Sequence, residues 1–190
     1  MKRFHFLLIV FAIFIGISSC SKDDDIASAV CEPSCGANGI CSDGTCVCLT
    51  GYEGESCGLE ASEKFLGTYN TNYTGSGGLA GSGGNTTMTI TKGDNAGKIQ
   101  IAVPLELGAT LPQIGSVDLP INLTIQADVD GNAYSISSTT IGFSVPVGGF
   151  NLPISITFQG TGNLSGSTLN SSWIFSGLLL NGTLSMVGNK

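Results

Sequence analysis

The sequence predicts an all-β protein in two unequal parts. A small disulfide-rich module comes first, then a larger antiparallel β domain of about eight strands, closed as a barrel or, alternatively, folded as a β-sandwich. Three observations carry this prediction. Six of the seven cysteines lie between Cys31 and Cys57, and none follows. From Lys64 on, β-branched residues alternate with polar ones, the two-residue period of half-buried strands. Turn formers punctuate that alternation, and no stretch shows a helical period with caps.

The chain opens with Lys2 and Arg3, a nearly continuous apolar run from Phe6 to Ile17, and the small residues Ser18 and Ser19 before Cys20. This is the layout of a secretory signal over residues 1–19. The apolar run falls short of the ~20 residues that a spanning helix needs. Ser21-Lys22-Asp23-Asp24-Asp25 then starts an acidic tether over residues 20–30.

Loss of a signal over residues 1–19 would remove His5 and Arg3, the sole histidine and arginine. A mature chain without either has no Ser-His-Asp or Cys-His arrangement, no histidine metal ligand and no arginine clamp for phosphate. Nothing in it calls for a cofactor, and no catalytic residue is assigned. Lys22, Lys64, Lys92, Lys98 and Lys190 then face fourteen acidic residues, most of the excess lying before Lys64. Nucleic acid is excluded as a partner, since binding it needs a basic surface.

Cys31, Cys35, Cys41, Cys46, Cys48 and Cys57 define the module at residues 31–58. In an exported chain they read as a disulfide framework. A zinc site lacks histidine and paired Cys-x-x-Cys knuckles, so no metal is expected. So short a segment cannot bury an adequate core and depends on cross-links for stability.

Two resemblances refine this reading. The small-small-Cys ending resembles the lipobox of bacterial lipoproteins, in the Ser-Ser-Cys form common in Bacteroidetes. That implies a lipid anchor at Cys20, and the acidic cluster behind it is similar to the signal that sends such lipoproteins to the outer face of the outer membrane. Cys46-Val47-Cys48-Leu49-Thr50-Gly51-Tyr52 followed by Cys57, with Asn38-Gly39 before Cys41, resembles an EGF-like domain. The resemblance implies the pairs Cys31–Cys41, Cys35–Cys46 and Cys48–Cys57. It does not imply calcium binding, because Ala27-Ser28-Ala29-Val30 stands where the calcium-binding members carry acidic residues.

The remainder, residues 59–190, holds the β domain. Strands are expected near 65–74, 86–92, 97–103, 119–128, 132–145, 153–164, 167–176 and 180–188. Asp128 and Asp130 precede Gly131-Asn132 and are expected at a tight hairpin turn, and Trp173 is expected in the core. Phe65-Leu66-Gly67-Thr68-Tyr69, after an EGF-like module, resembles the opening of the lipocalin-like or calycin-like domains of Bacteroidetes lipoproteins, which implies a closed barrel.

An internal echo pairs Leu119-Pro120-Ile121 with Leu152-Pro153-Ile154, each preceded by Val-Pro at Val103-Pro104 and Val145-Pro146. Proline cannot donate to a ladder, so these pairs are expected to end strands. The intervening segments 104–118 and 146–151 then become apolar connections at one end of the domain. Leu107, Leu111 and Phe150 are the candidate ligand-binding residues of an apolar mouth there. The expected role is binding, not catalysis. The partner is an apolar ligand or, for an adhesion or accessory protein, a protein or glycan. A hydrolase using carboxylates such as Glu106, Asp118, Asp128 or Asp130 is the weaker alternative.

Overall fold

Two short hairpins and three cross-links make the N-terminal module. The computed structural model describes residues 30–111, 115–147, 149–177 and 180–190, without the side chains of 109–111, 116, 117, 145–147, 150 and 152. Strand β1 (Gly39–Ser42) pairs with β2 (Thr45–Cys48) across Asp43-Gly44, both residues at positive φ (50° and 78°) as a two-residue hairpin turn demands. Strands β3 (Tyr52–Glu53) and β4 (Leu59–Glu60) form the second pair. Cys31–Cys41, Cys35–Cys46 and Cys48–Cys57 are joined, the pairing the resemblance implies.

The module is seated on one end of the larger domain. Ala61 N–H donates to Gly51 O at 2.9 Å, and Ser62 N–H to Ala96 O at 3.3 Å. Gly51 has φ 90°, and a Cβ there would lie 2.5 Å from Gly97 N, so both backbone shape and close approach require glycine. Lys64 Nζ bridges Glu53 on the module (2.5 Å) and Asn132 on the domain (3.3 Å).

The larger domain is a closed eight-stranded antiparallel barrel, not a sandwich. Its strands are β5 (Gly67–Gly77), β6 (Gly83–Lys92), β7 (Lys98–Leu111), β8 (Gly115–Asp130), β9 (Ala133–Val147), β10 (Phe150–Ser165), β11 (Thr168–Gly177) and β12 (Gly182–Asn189). Neighbours in sequence are neighbours in space, and β12 pairs with β5 to close the wall. The core is built from the inward-pointing apolar residues of every strand, while Asn70, Asn72, Thr74, Asn170 and Ser185 stand outside, with Ile174 and Val187 as exposed apolar residues among them. That is the reverse of a membrane-spanning barrel, whose outer band is apolar.

Aromatic side chains fill the lower barrel. A short 3-10 turn, Glu63–Phe65, inserts Phe65 into the base, edge-on to Tyr134 at 6.2 Å between ring centroids. Phe158 stacks on Phe175 at 5.7 Å. Two strand glycines make this possible. A Cβ on Gly160 would lie 2.3 Å from Trp173 Cδ1, and one on Gly162 would lie 2.1 Å from Tyr134 Cε1. Each glycine is the ladder partner of the ring that occupies its space. Tyr134 Oη donates to Ser171 Oγ (2.7 Å) and accepts from Trp173 Nε1 (3.2 Å), so the polar atoms of this core are paired. Burial raises the pKa of the Tyr134 phenol, and burial with the neighbouring Tyr134 pushes that of Tyr69 up to about 12.

Two expectations are corrected. Segments 104–118 and 146–151 are not long connections. They continue the strands as two tall hairpins, paired to Leu111↔Gly115 and to Val147↔Phe150. The Val-Pro and Leu-Pro pairs therefore do not end strands. The physical reason lies in the neighbouring ladders. Pairing of β6 with β7 stops at Ala102, of β8 with β9 at Asp128 and Ser135, and of β10 with β11 at Ile156. Pro104, Pro120, Pro146 and Pro153 all lie beyond those limits, where one side of the strand has no ladder partner and a missing N–H costs nothing. The last described pairs of both hairpins, Leu111↔Gly115 and Val147↔Phe150, lie at the barrel end opposite the N-terminal module.

Candidate functional site

The tall hairpins outrun their neighbours along β6–β7, β8–β9 and β10–β11, and the chain treats the first two of these gaps differently. Along β6 and β7 the missing ladder is replaced by side chains. Thr86 Oγ1 donates to Pro104 O. Tyr73 Oη donates to Glu106 O (3.1 Å) and accepts from Glu106 N–H (3.2 Å). Ser82 Oγ does the same for Gly108, at 3.3 and 2.8 Å. A cavity of about 540 Å³ lies along this seam, lined by Tyr73, Thr86, Pro104 and Glu106 and, on β8, by Pro120 to Asn122.

Between β8 and β9 no such substitution occurs among the described residues. Val129 N–H points to β7, donating to Gly97 O at 2.8 Å. Residues alternate in direction along an antiparallel strand, so Asn122, Thr124 and Gln126 turn their backbone groups toward β9. Beyond Asp128↔Ser135 they meet no partner strand. On β9 the register shifts opposite Phe158/Gly160: Gly160 pairs with Ile136, yet Phe158 pairs with Thr139. This β-bulge lies just past the end of the β8–β9 ladder and inverts the strand above it. Above it Ile141 and Phe143 face inward in place of Tyr134 and Ile136, and the backbones of Thr140, Gly142 and Ser144 turn toward β8.

The result is a lateral cleft of about 350 Å³ lined by Pro120 to Ile125 on β8 and Ile141 to Phe143 on β9. Ile121, Leu123 and Ile125 form its floor, each 6% exposed or less. Ile141 and Phe143 are half-buried against the core and form its open side. A third hollow, about 440 Å³, is lined mainly by amides and hydroxyls such as Asn72, Asn85 and Thr87; it lies outside an intact ladder and is not an opening.

The sequence-predicted site residues fall as follows. Cys20 lies outside the described residues. Leu107 is fully buried in the barrel core and lines no mouth. Leu111 and Phe150 end β7 and begin β10 at the two hairpin tips, and their side chains are outside the description. The apolar hollow that the structure does describe is lined from the strand edges below the tips. The sequence carried a signal for this. Inward apolar positions are even at Tyr134 and Ile136 and odd at Ile141 and Phe143, and that change of parity across Ser137-Ser138 marks the bulge.

Other expectations hold in place. Trp173 is fully buried, and Asp130-Gly131-Asn132-Ala133 is a tight hairpin turn. Asp128 pairs with Lys98 at 3.2 Å, and Asp94 accepts from Gln126 at 2.6 Å, both on the exterior. Cys31, Cys35 and Cys46 bring their sulfur atoms within 4.8 Å, but each sulfur is committed to a disulfide and offers no thiolate to a metal.

No curated protein and no solved structure matches the chain. Residues 31–60 match the family model of the Teneurin-like EGF domain, two residues past the expected boundary and ending with β4, so the N-terminal module is EGF-like and the barrel follows it.

Proposed function

We propose that the protein is a non-catalytic binding module, lipid-anchored through Cys20 on the outer face of an outer membrane, whose ligand seats in the β8–β9 cleft. One observation carries this reading. The chain bridges the β6–β7 break in the barrel wall with Thr86, Tyr73 and Ser82, and leaves the β8–β9 break open over half-buried apolar side chains. The aromatic packing below supports a lateral site rather than a deep calyx. The EGF-like module, fixed to the opposite barrel end, then acts as a rigid base between tether and site. The acidic excess before Lys64 and the absence of histidine and arginine after Cys20 favour binding over catalysis.

The cleft reading is tested with 1-anilinonaphthalene-8-sulfonate, a dye that brightens at exposed apolar surface. The folded chain should enhance its fluorescence, and Ile141→Ser with Phe143→Ser should remove most of that gain without changing the barrel's circular dichroism. An enhancement indifferent to these substitutions would place the apolar surface elsewhere. The anchor is tested separately: Cys20→Ser should shift the protein from the membrane to the soluble fraction, and unchanged membrane attachment would refute lipidation.

A further inference from the structure

We infer that the β8–β9 cleft takes an extended peptide, added to the barrel as an extra strand, rather than an acyl chain; this rests on the cleft being the binding site. The two walls carry more than apolar lining. Asn122, Thr124 and Gln126 on β8, and Thr140, Gly142 and Ser144 on β9, aim their backbone N–H and C=O groups into the gap, and the β8–β9 ladder does not reach them. An acyl chain lying there would cover these groups without pairing them, at the cost that unpaired backbone groups exact. An extended peptide pairs with both edges and continues the ladder from Asp128↔Ser135 upward.

The edges also set the length and pattern of the occupant. Pro120 on β8 and Pro146 on β9 both fall at positions facing the gap, so neither edge can donate there. Prolines so placed prevent β8 and β9 from templating indefinite strand addition and confine pairing to the stretch below them. That stretch holds about seven residues of strand, given alternation of period two. Residues of the guest that point inward meet Ile121, Leu123, Ile125, Ile141 and Phe143 and should be apolar. Those pointing outward lie beside Asn122 and Thr124 and should be small or polar.

Two probes are offered to the full chain: a pool of end-blocked peptides in which apolar residues alternate with threonine, and dodecanoate. The variant Thr124→Pro/Gly142→Pro removes one edge donor from each wall and leaves the apolar lining untouched. Both sites have no ladder partner on the affected side, and circular dichroism checks that the barrel is retained. Peptides selected from the pool should bind the parent chain and lose affinity by at least about tenfold on the variant. Their binding should also perturb the amides of Thr124 and Gly142. Equal binding to parent and variant overturns strand addition. Dodecanoate binding that displaces the dye while no peptide binds overturns the peptide but keeps the cleft. Failure of both probes overturns the cleft as the site.

Discussion

Trp173→Ala should cost about 3–5 kcal/mol of folding stability. The indole is fully buried, sits 6.3 Å from the Phe158 ring, and fills space that its ladder partner Gly160 leaves free. Truncation empties a volume that the glycine opposite cannot refill, so little relaxation is available. It also removes the Nε1–H donated to Tyr134, whose hydroxyl is shared with Ser171. Denaturant unfolding measures the loss. A value under about 1 kcal/mol would mean that the lower barrel is not packed as described, and a deep calyx would return as the ligand seat.

Leu123→Pro and Thr124→Pro should differ sharply although they are adjacent. Leu123 turns its N–H to β7, opposite Val103, so proline there breaks a ladder bond and removes a buried side chain. A loss of at least about 3 kcal/mol is expected. Leu123→Ala removes most of the side chain but keeps the donor, and the difference between the two variants isolates the ladder bond. Thr124 turns its N–H into the cleft, and proline there should change stability by about 1 kcal/mol or less. Equal, large losses at both positions would show that β8 is paired on both sides.

Much of this architecture was legible in the chain. Eight antiparallel strands follow from two-residue alternation and turn residues, while the closed barrel and the cysteine pairing are what the resemblances to lipocalin-like and EGF-like domains imply. What the sequence obscured was the height of the hairpins. Prolines at 104, 120, 146 and 153 read as strand ends because a ladder is ordinarily two-sided. Only the barrel's own interruptions make a one-sided strand, and an interruption is a tertiary fact. The cleft was hidden in the sequence for the same reason. Leu107 is apolar because it is core, while Ile141 and Phe143 matter because a bulge at Ser137-Ser138 turns them over. Composition does not separate those two cases; the parity change does.

Residue-level amide exchange on the native protein tests the open cleft most directly. The N–H groups of Leu123, Ile125, Ile141 and Phe143 lie in intact ladders with β7 and β10 and should exchange slowly. Those of Asn122, Thr124, Gly142 and Ser144 should exchange orders of magnitude faster, in strict alternation along the same strands. Alternating fast and slow amides on both β8 and β9 is the predicted result. Uniform protection along residues 121–126 and 140–144 would mean that the wall is closed there and that the cleft is not a site.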